Sequence, residues 1–159
     1  MHFVAGLATV RGHRQLRPKS CDIGYEYATQ ENNPLTKYQP GQIWTYKTRP
    51  GEESSRLTIV KIEPHEEIAR IIHVYISDVA IECETAPDGV VKNIHHSPYT
   101  EGAINRSVLQ LESENNELPE FREGYAVWKE GFDQGEAGVF DINVSEGVQV
   151  MADAVKGGA

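Results

Sequence analysis

Cysteine is almost absent from this chain, with Cys21 and Cys83 the only two among 159 residues. So sparse a content excludes a disulfide-stapled secreted scaffold and suits a reducing compartment. Long hydrophobic runs are missing too, since nothing approaches the roughly 20 apolar residues of a membrane helix. The short apolar stretch Phe3 to Val10 has no base before it and Arg11, Arg14, Arg17 and Lys19 after it. That order is the reverse of a secretory signal, so a cytoplasmic protein is expected. No glycine-rich phosphate loop follows a strand-like segment, and Ser54, Ser55 and Ser97 lie in no Gly-x-Ser-x-Gly elbow. Dinucleotide binding and α/β-hydrolase chemistry are therefore disfavoured. Internal repeats and low-complexity tracts are also lacking.

Positive charge is scarce outside residues 1–20, which hold four bases and no acid. The remainder carries 24 acids against 11 bases, a formal net charge of −13 within a chain total of −9. Such a body repels phosphate backbones, so only the basic leader could attract nucleic acid. We read residues 1–37 as that leader and a linker, a disordered, solvated segment with turn chemistry at Asn32-Asn33-Pro34. Residues 38–156 read as a single domain.

What is present most clearly is a strand, a turn and a second strand. Ile43 to Thr48 and Leu57 to Ile62 are dense in β-branched and aromatic residues. Between them, Arg49-Pro50-Gly51-Glu52-Glu53 has a proline to preset φ and a glycine to accept a left-handed conformation. Ile71 to Ile76 is mostly apolar on both faces and reads as a central strand that buries His73. Val79, Ile81, Cys83 and Thr85 alternate with Ala80, Glu82 and Glu84, as in a strand with one wet face. Ala86-Pro87-Asp88-Gly89 closes it, and Val90 to Ile94 reads as one more short strand.

The pattern changes after Pro98. Thr100 caps a helix whose stripe is Ile104, Val108 and Leu111, and Phe121, Tyr125, Trp128 and Phe132 share one face of a second. Gly124 and Gly131 each cost about 1 kcal/mol relative to alanine inside that helix, so burial of the aromatic stripe must hold it. Val139 to Val144 then reads as a strand, and Ser145 as the cap of a last helix carrying Val148, Met151 and Val155. The predicted class is α+β, with an antiparallel, strongly bent, barrel-like sheet and about three helices in the C-terminal half.

Candidate chemistry lies first with His73, Cys83 and His96. A thiol needs an adjacent base to become a thiolate, and His73 would supply it if the two strands were neighbours. His95 and His96 are zinc-ligand types, yet adjacent side chains of an extended segment face opposite ways and no ligand pair repeats at helical or knuckle spacing. No metal and no cofactor is expected. Glu52-Glu53 and Glu66-Glu67 sit at turn tips, where water solvates both carboxylates instead of driving their pKa values apart.

The denser signal is acidic. Glu112, Glu114, Glu117, Glu120 and Glu123 surround a connection in which Arg122 is the only base. Of these, Glu114, Glu117, Glu120 and Glu123 are the partner-binding candidates, because clustered carboxylates steer a basic partner and suppress acidic ones. Trp44, Tyr46 and Arg49 form a second candidate surface, since aromatic and arginine side chains dominate binding hot spots.

The segments Tyr38-Gln39-Pro40-Gly41-Gln42-Ile43-Trp44-Thr45-Tyr46-Lys47-Thr48-Arg49-Pro50-Gly51-Glu52-Glu53, His96-Ser97-Pro98-Tyr99 and Glu123 to Glu130 resemble those of a family of small hypothetical bacterial proteins. The resemblance covers residues 38–155. It implies a bacterial, stand-alone domain and brings no activity to any residue. The Pro-Gly-Gln-x-Trp opening is also similar to the first strand of SH3-like barrel ribonuclease toxins, whose arginine-proline segment before the next strand is absent here. The expectation is a non-enzymatic acidic protein that recognises a basic protein partner, immunity- or antitoxin-like by analogy. The competing expectation is a small enzyme or ligand-binding barrel with a His/Cys pocket.

Overall fold

The computed structural model describes residues 37–157, so the leader, nearly all of the linker and Cys21 lie outside the described residues. In chain order the elements are β1 (Gln42–Tyr46), β2 (Arg56–His65), β3 (Ala69–Ser77), β4 (Ile81–Glu82), β5 (Val90–Val91), β6 (Ile94–Thr100), α1 (Glu101–Ser107), β7 (Val108–Glu114), α2 (Arg122–Asp133) and α3 (Val144–Gly157). Five strands form one antiparallel sheet in the order β6-β3-β2-β1-β7, and β4 pairs with β5 in a separate ribbon. The class is α+β. The sheet is open, with β6 and β7 as its edges, and does not close into the barrel-like form expected from the sequence.

The first hairpin forms where the β-branched density placed it, with Ile43 opposite Thr58 and Trp44 opposite Leu57. Its connection turns at Gly51, whose φ of 86° is the left-handed conformation that glycine adopts without a Cβ clash. Arg49 then grips the buried Glu52 carboxylate with two bonds, Nε to Oε1 at 2.7 Å and Nη2 to Oε2 at 2.8 Å. The Ala80 backbone N–H donates to the same carboxylate, so the Arg-Pro-Gly-Glu segment fastens this loop to the one leaving β3.

Alternation along β3 creates two unequal cores. Ile72, Val74 and Ile76 join Leu57, Ile59, Tyr99 and Ile104 in the main core, which Val148 and Met151 of α3 help to cover. Ile71 belongs instead to a smaller cluster with Trp128, Ala137 and Val139. Residues two apart on a strand share a face, so His73 stands on the Ile71 side, beneath α2. Directly opposed residues share a face as well, and Lys61 faces His73 while Glu63 faces Ile71.

Four expectations are corrected. The helix capped by Thr100, whose Oγ1 accepts the Ala103 N–H at 3.1 Å, stops at Ser107. Val108 to Leu111, predicted as its last turn, begin strand β7, which pairs with the free edge of β1. Ser107 sets the boundary: its hydroxyl donates to the Ala103 carbonyl at 2.8 Å and accepts the Val144 N–H at 2.9 Å. Val139 to Val144 is not a strand, because it touches the β6 edge in a single parallel bridge between Tyr99 and Phe140. Helix α3 begins at Val144, which places Ser145 inside its first turn. The segment from Val79 to Thr85 pairs only at Ile81 and Glu82, although Val79, Ile81 and Cys83 are buried as the alternation required.

Candidate functional site

β6 brings His96 to His73. The register sets His73 opposite Pro98 and Val74 opposite Ser97, so His96 and Pro98 share the His73 face, and His96 lies diagonally across the strand pair. His73 Nδ1 and His96 Nε2 are 2.8 Å apart, and the stacked rings have centroids 5.0 Å apart. On its other side His73 Nε2 lies 3.3 Å from Glu63 Oε2. Tyr125 donates its hydroxyl to the second oxygen of Glu63.

Helix α2 roofs this chain of groups. Tyr125 and Trp128 lie at i and i+3 on its inner face. Their rings meet His73 edge-on, with centroids 5.2 and 4.9 Å away. Trp128 also stacks on Phe132 and donates its Nε1–H to the Gly138 carbonyl at 2.8 Å. Gly124 lets the helix approach β6 so closely: a Cβ there would stand 3.0 Å from the His96 Cβ. Alanine would gain about 1 kcal/mol of helix propensity, against about 1–3 kcal/mol for overpacking against a histidine that its bond to His73 holds in place. Gly124→Ala is expected to lower stability by about 1 kcal/mol in urea unfolding, and a stabilised variant would show that α2 yields freely at this contact.

The proton positions follow from the partners. Burial alone would raise the Glu63 carboxyl, but the bonds from His73 and Tyr125 hold its pKa down to about 2. An ionised carboxylate only accepts, so His73 Nε2 carries a hydrogen. Burial pushes the His73 pKa below its ordinary value in spite of Glu63, and the ring is neutral. Its Nδ1 is then an acceptor, and His96 Nε2 must donate to it. Burial, reinforced by the neighbouring His73, pushes His96 down to about 3. His96 is therefore neutral, with Nδ1 as its bare acceptor. The Tyr125 phenol is raised by burial and by the Glu63 carboxylate, and it stays a donor.

His96 lines a cavity of about 350 Å³ between β6 and the start of α2. The other polar walls are Asn93, His95, Glu120 and Glu123, the apolar ones include Val91, Phe121 and Val127, and no lysine or arginine among the described residues lines it. His95 lines the same cavity as His96, where the β3–β6 register shifts between Val74 and Ile76, and its Nδ1 meets the Glu120 carbonyl at 3.2 Å. The Glu120 carboxylate accepts the Arg122 N–H at 2.9 Å, closing the first turn of α2, where Phe121 has no side-chain cap to offer.

The sequence candidates are thus redistributed. His73 and His96 are joined, whereas Cys83 lies beyond β4, with its sulfur 3.2 Å from the Thr85 hydroxyl. The β4–β5 ribbon packs against α3 through β4, while Val91 of β5 reaches the cavity that His96 lines. Glu63 and Tyr125 were missed as site residues, and hairpin register was the signal that could have found Glu63. The acidic residues divide: Glu114 pairs with Gln42 on edge strand β7, while Glu120 and Glu123 line the cavity beside the opposite edge. Four strand intervals, about 19 Å, separate those edges. Glu117 lies between them, its N–H donating to Asn115 Oδ1 at 3.0 Å, and Glu112 pairs with Arg56 at 3.0 Å.

Trp44 and Tyr46 are buried in the main core, Tyr46 bonding Ser55 at 2.6 Å, and Arg49 is engaged with Glu52. The structure places these residues in packing and a loop clamp. No group of metal-ligating side chains converges among the described residues. Among them no helix is long and apolar enough to cross a membrane. No family model, curated protein or solved structure matches this chain.

Proposed function

We propose that this protein is a non-enzymatic binding protein that recognises a basic protein partner at the junction of β6 and α2, with Glu120 and Glu123 at the contact and Glu114 and Glu117 extending the negative field toward β7. One observation carries the reading: among the described residues, the cavity walls combine two glutamates and a neutral imidazole acceptor with no lysine or arginine. Such a wall attracts a cation and repels an anion. A cytoplasmic setting agrees with the sparse cysteine.

The second reading, a small enzyme, draws on the Glu63–His73–His96 chain, which resembles in form the carboxylate–imidazole pairs that orient general bases. The depressed basicity of His96 favours a hydrogen-bond acceptor over a proton acceptor at neutral pH.

A labelled oligolysine peptide tests the first reading by fluorescence anisotropy. Glu120→Gln with Glu123→Gln should weaken binding about fivefold or more, and added salt should weaken the wild-type complex. Glu66→Gln with Glu67→Gln, the same charge change at the exposed turn between β2 and β3, should have little effect. Equal losses in both double variants would reduce the acidic surface to bulk charge.

A further inference from the structure

We infer that the cavity between β6 and α2 receives one primary ammonium group, that of a lysine side chain of the partner, and that His96 Nδ1 is the acceptor that selects it. Glu63 and His73 are positioning residues that act through His96. The inference rests on the proposed recognition of a basic partner and adds the identity of the group that enters the cavity.

The geometry points this way in three steps. The Glu63–His73–His96 chain permits one arrangement of hydrogens when both rings are neutral, and that arrangement leaves His96 Nδ1 bare. A hydrogen-bonded partner on the far ring nitrogen is how proteins set which imidazole nitrogen stays free. Nδ1 has no hydrogen-bond partner among the described residues, and it is not among the buried polar atoms left without one, so it retains open surface on a ring that lines the cavity.

The second step is charge. Glu120 and Glu123 stand on the same walls, so a donor entering the cavity meets negative potential as well as a lone pair. The chain's own Arg122 already lies on the rim, its guanidinium 5.7 Å from the centre of the Phe121 ring and 3.8 Å from Glu120 Oε2. That cation shows that the rim accepts positive charge, and it competes with an incoming one.

The third step separates ammonium from guanidinium. A guanidinium binds best through two parallel bonds to one carboxylate, whereas an ammonium offers three single donors that can be shared among separate acceptors. Glu120 already spends one oxygen on the Arg122 N–H. Glu120 and His96 Nδ1 therefore present single acceptors on separate side chains.

The full-length protein labelled with ¹⁵N-histidine tests this by NMR at neutral pH, with Nα-acetyl-lysine-methylamide as the probe and the norleucine and arginine analogues as controls. The ¹⁵N shift of His96 Nδ1 should be that of an unprotonated nitrogen and should move on titration with the lysine probe. Lysine should bind about tenfold or more tightly than neutral norleucine, as expected for a hydrogen bond to a charged group. His96→Leu should erase that preference. His96→Gln should restore part of it, because its amide can donate to His73 and still accept from the ligand. His73→Phe should allow His96 to exchange tautomers, and Arg122→Ala should tighten lysine binding.

A protonated Nδ1 in the wild type, or a shift that lysine leaves unmoved, overturns the inference, and neither result needs a variant to fold. If oligolysine binding still depends on Glu120 and Glu123 in that case, the basic-partner reading stands without this inference. If arginine binds better than lysine, the selectivity argument is wrong. Binding of butylammonium as tight as that of the lysine probe would instead point to a free small amine and overturn the assignment to a side chain.

Discussion

Trp128→Ala should lower folding stability by about 3–5 kcal/mol, the range for removing a large aromatic side chain from a packed site. The indole is only 5% exposed. Its loss would open a space bounded by Phe132, His73, His96 and Tyr125, all within 6 Å between ring centroids. The Gly138 carbonyl would also lose the donor that now satisfies it. Helix α2 carries Gly124 and Gly131 and has no side-chain N-cap, so little local propensity remains to hold it once the anchor is gone. Urea unfolding of wild type and variant measures the difference. A loss below about 1 kcal/mol would mean that the aromatic stripe is not the anchor of the helix.

The second large effect is acid sensitivity. His96 has a folded pKa of about 3 against an ordinary 6.5. Between these values the unfolded chain binds a proton that the native chain refuses, so stability is full above 6.5 and falls as pH drops toward 3. At 1.36 kcal/mol per unit, the loss from His96 alone reaches about 3 kcal/mol by about pH 4. His73 shifts in the same direction and adds to it. Glu63 acts in a lower window: its pKa falls from 4.5 to about 2, so its contribution is complete above 4.5 and disappears as pH drops through 2. Unfolding free energies at a series of pH values should therefore fall steadily below neutrality. His96→Gln should make the curve shallower between about pH 6.5 and 4, leaving the His73 contribution and the lower, Glu63-dependent fall in place. A flat wild-type curve from about pH 7 to 5 would show that the imidazoles are solvated in the native state.

The acid sensitivity arises in the part of the molecule that was least legible from the sequence. His73 and His96 could be picked out as residue types, but 22 residues lie between them and nothing local joins them. Glu63 lies just past the predicted strand Leu57 to Ile62 and carried no signal of its own, because its role depends on His73 from the neighbouring strand and on Tyr125 arriving from α2. The acidic run was legible as charge but not as shape. Pairing β7 to β1 and returning α2 to β6 splits it between opposite edges of the sheet.

Where local chemistry sufficed, sequence alone determined the outcome. The β-branched density of β1 to β3, the proline and glycine of the first turn, the Thr100 cap and the aromatic stripe of α2 each act within a few residues, so propensity and burial agree. Where an element needed a partner, only the tertiary structure decided. Val108 to Leu111 fit a helix stripe by spacing, yet the exposed edge of β1 offered ladder bonds that a longer helix would have forfeited. Val139 to Val144 alternate like a strand, but the β6 edge accepts only one bridge before α3 begins. A backbone hydrogen bond across a sheet has no signature in either segment taken alone. For the same reason the Glu63–His73–His96 chain, assembled from three strands, is a product of the fold.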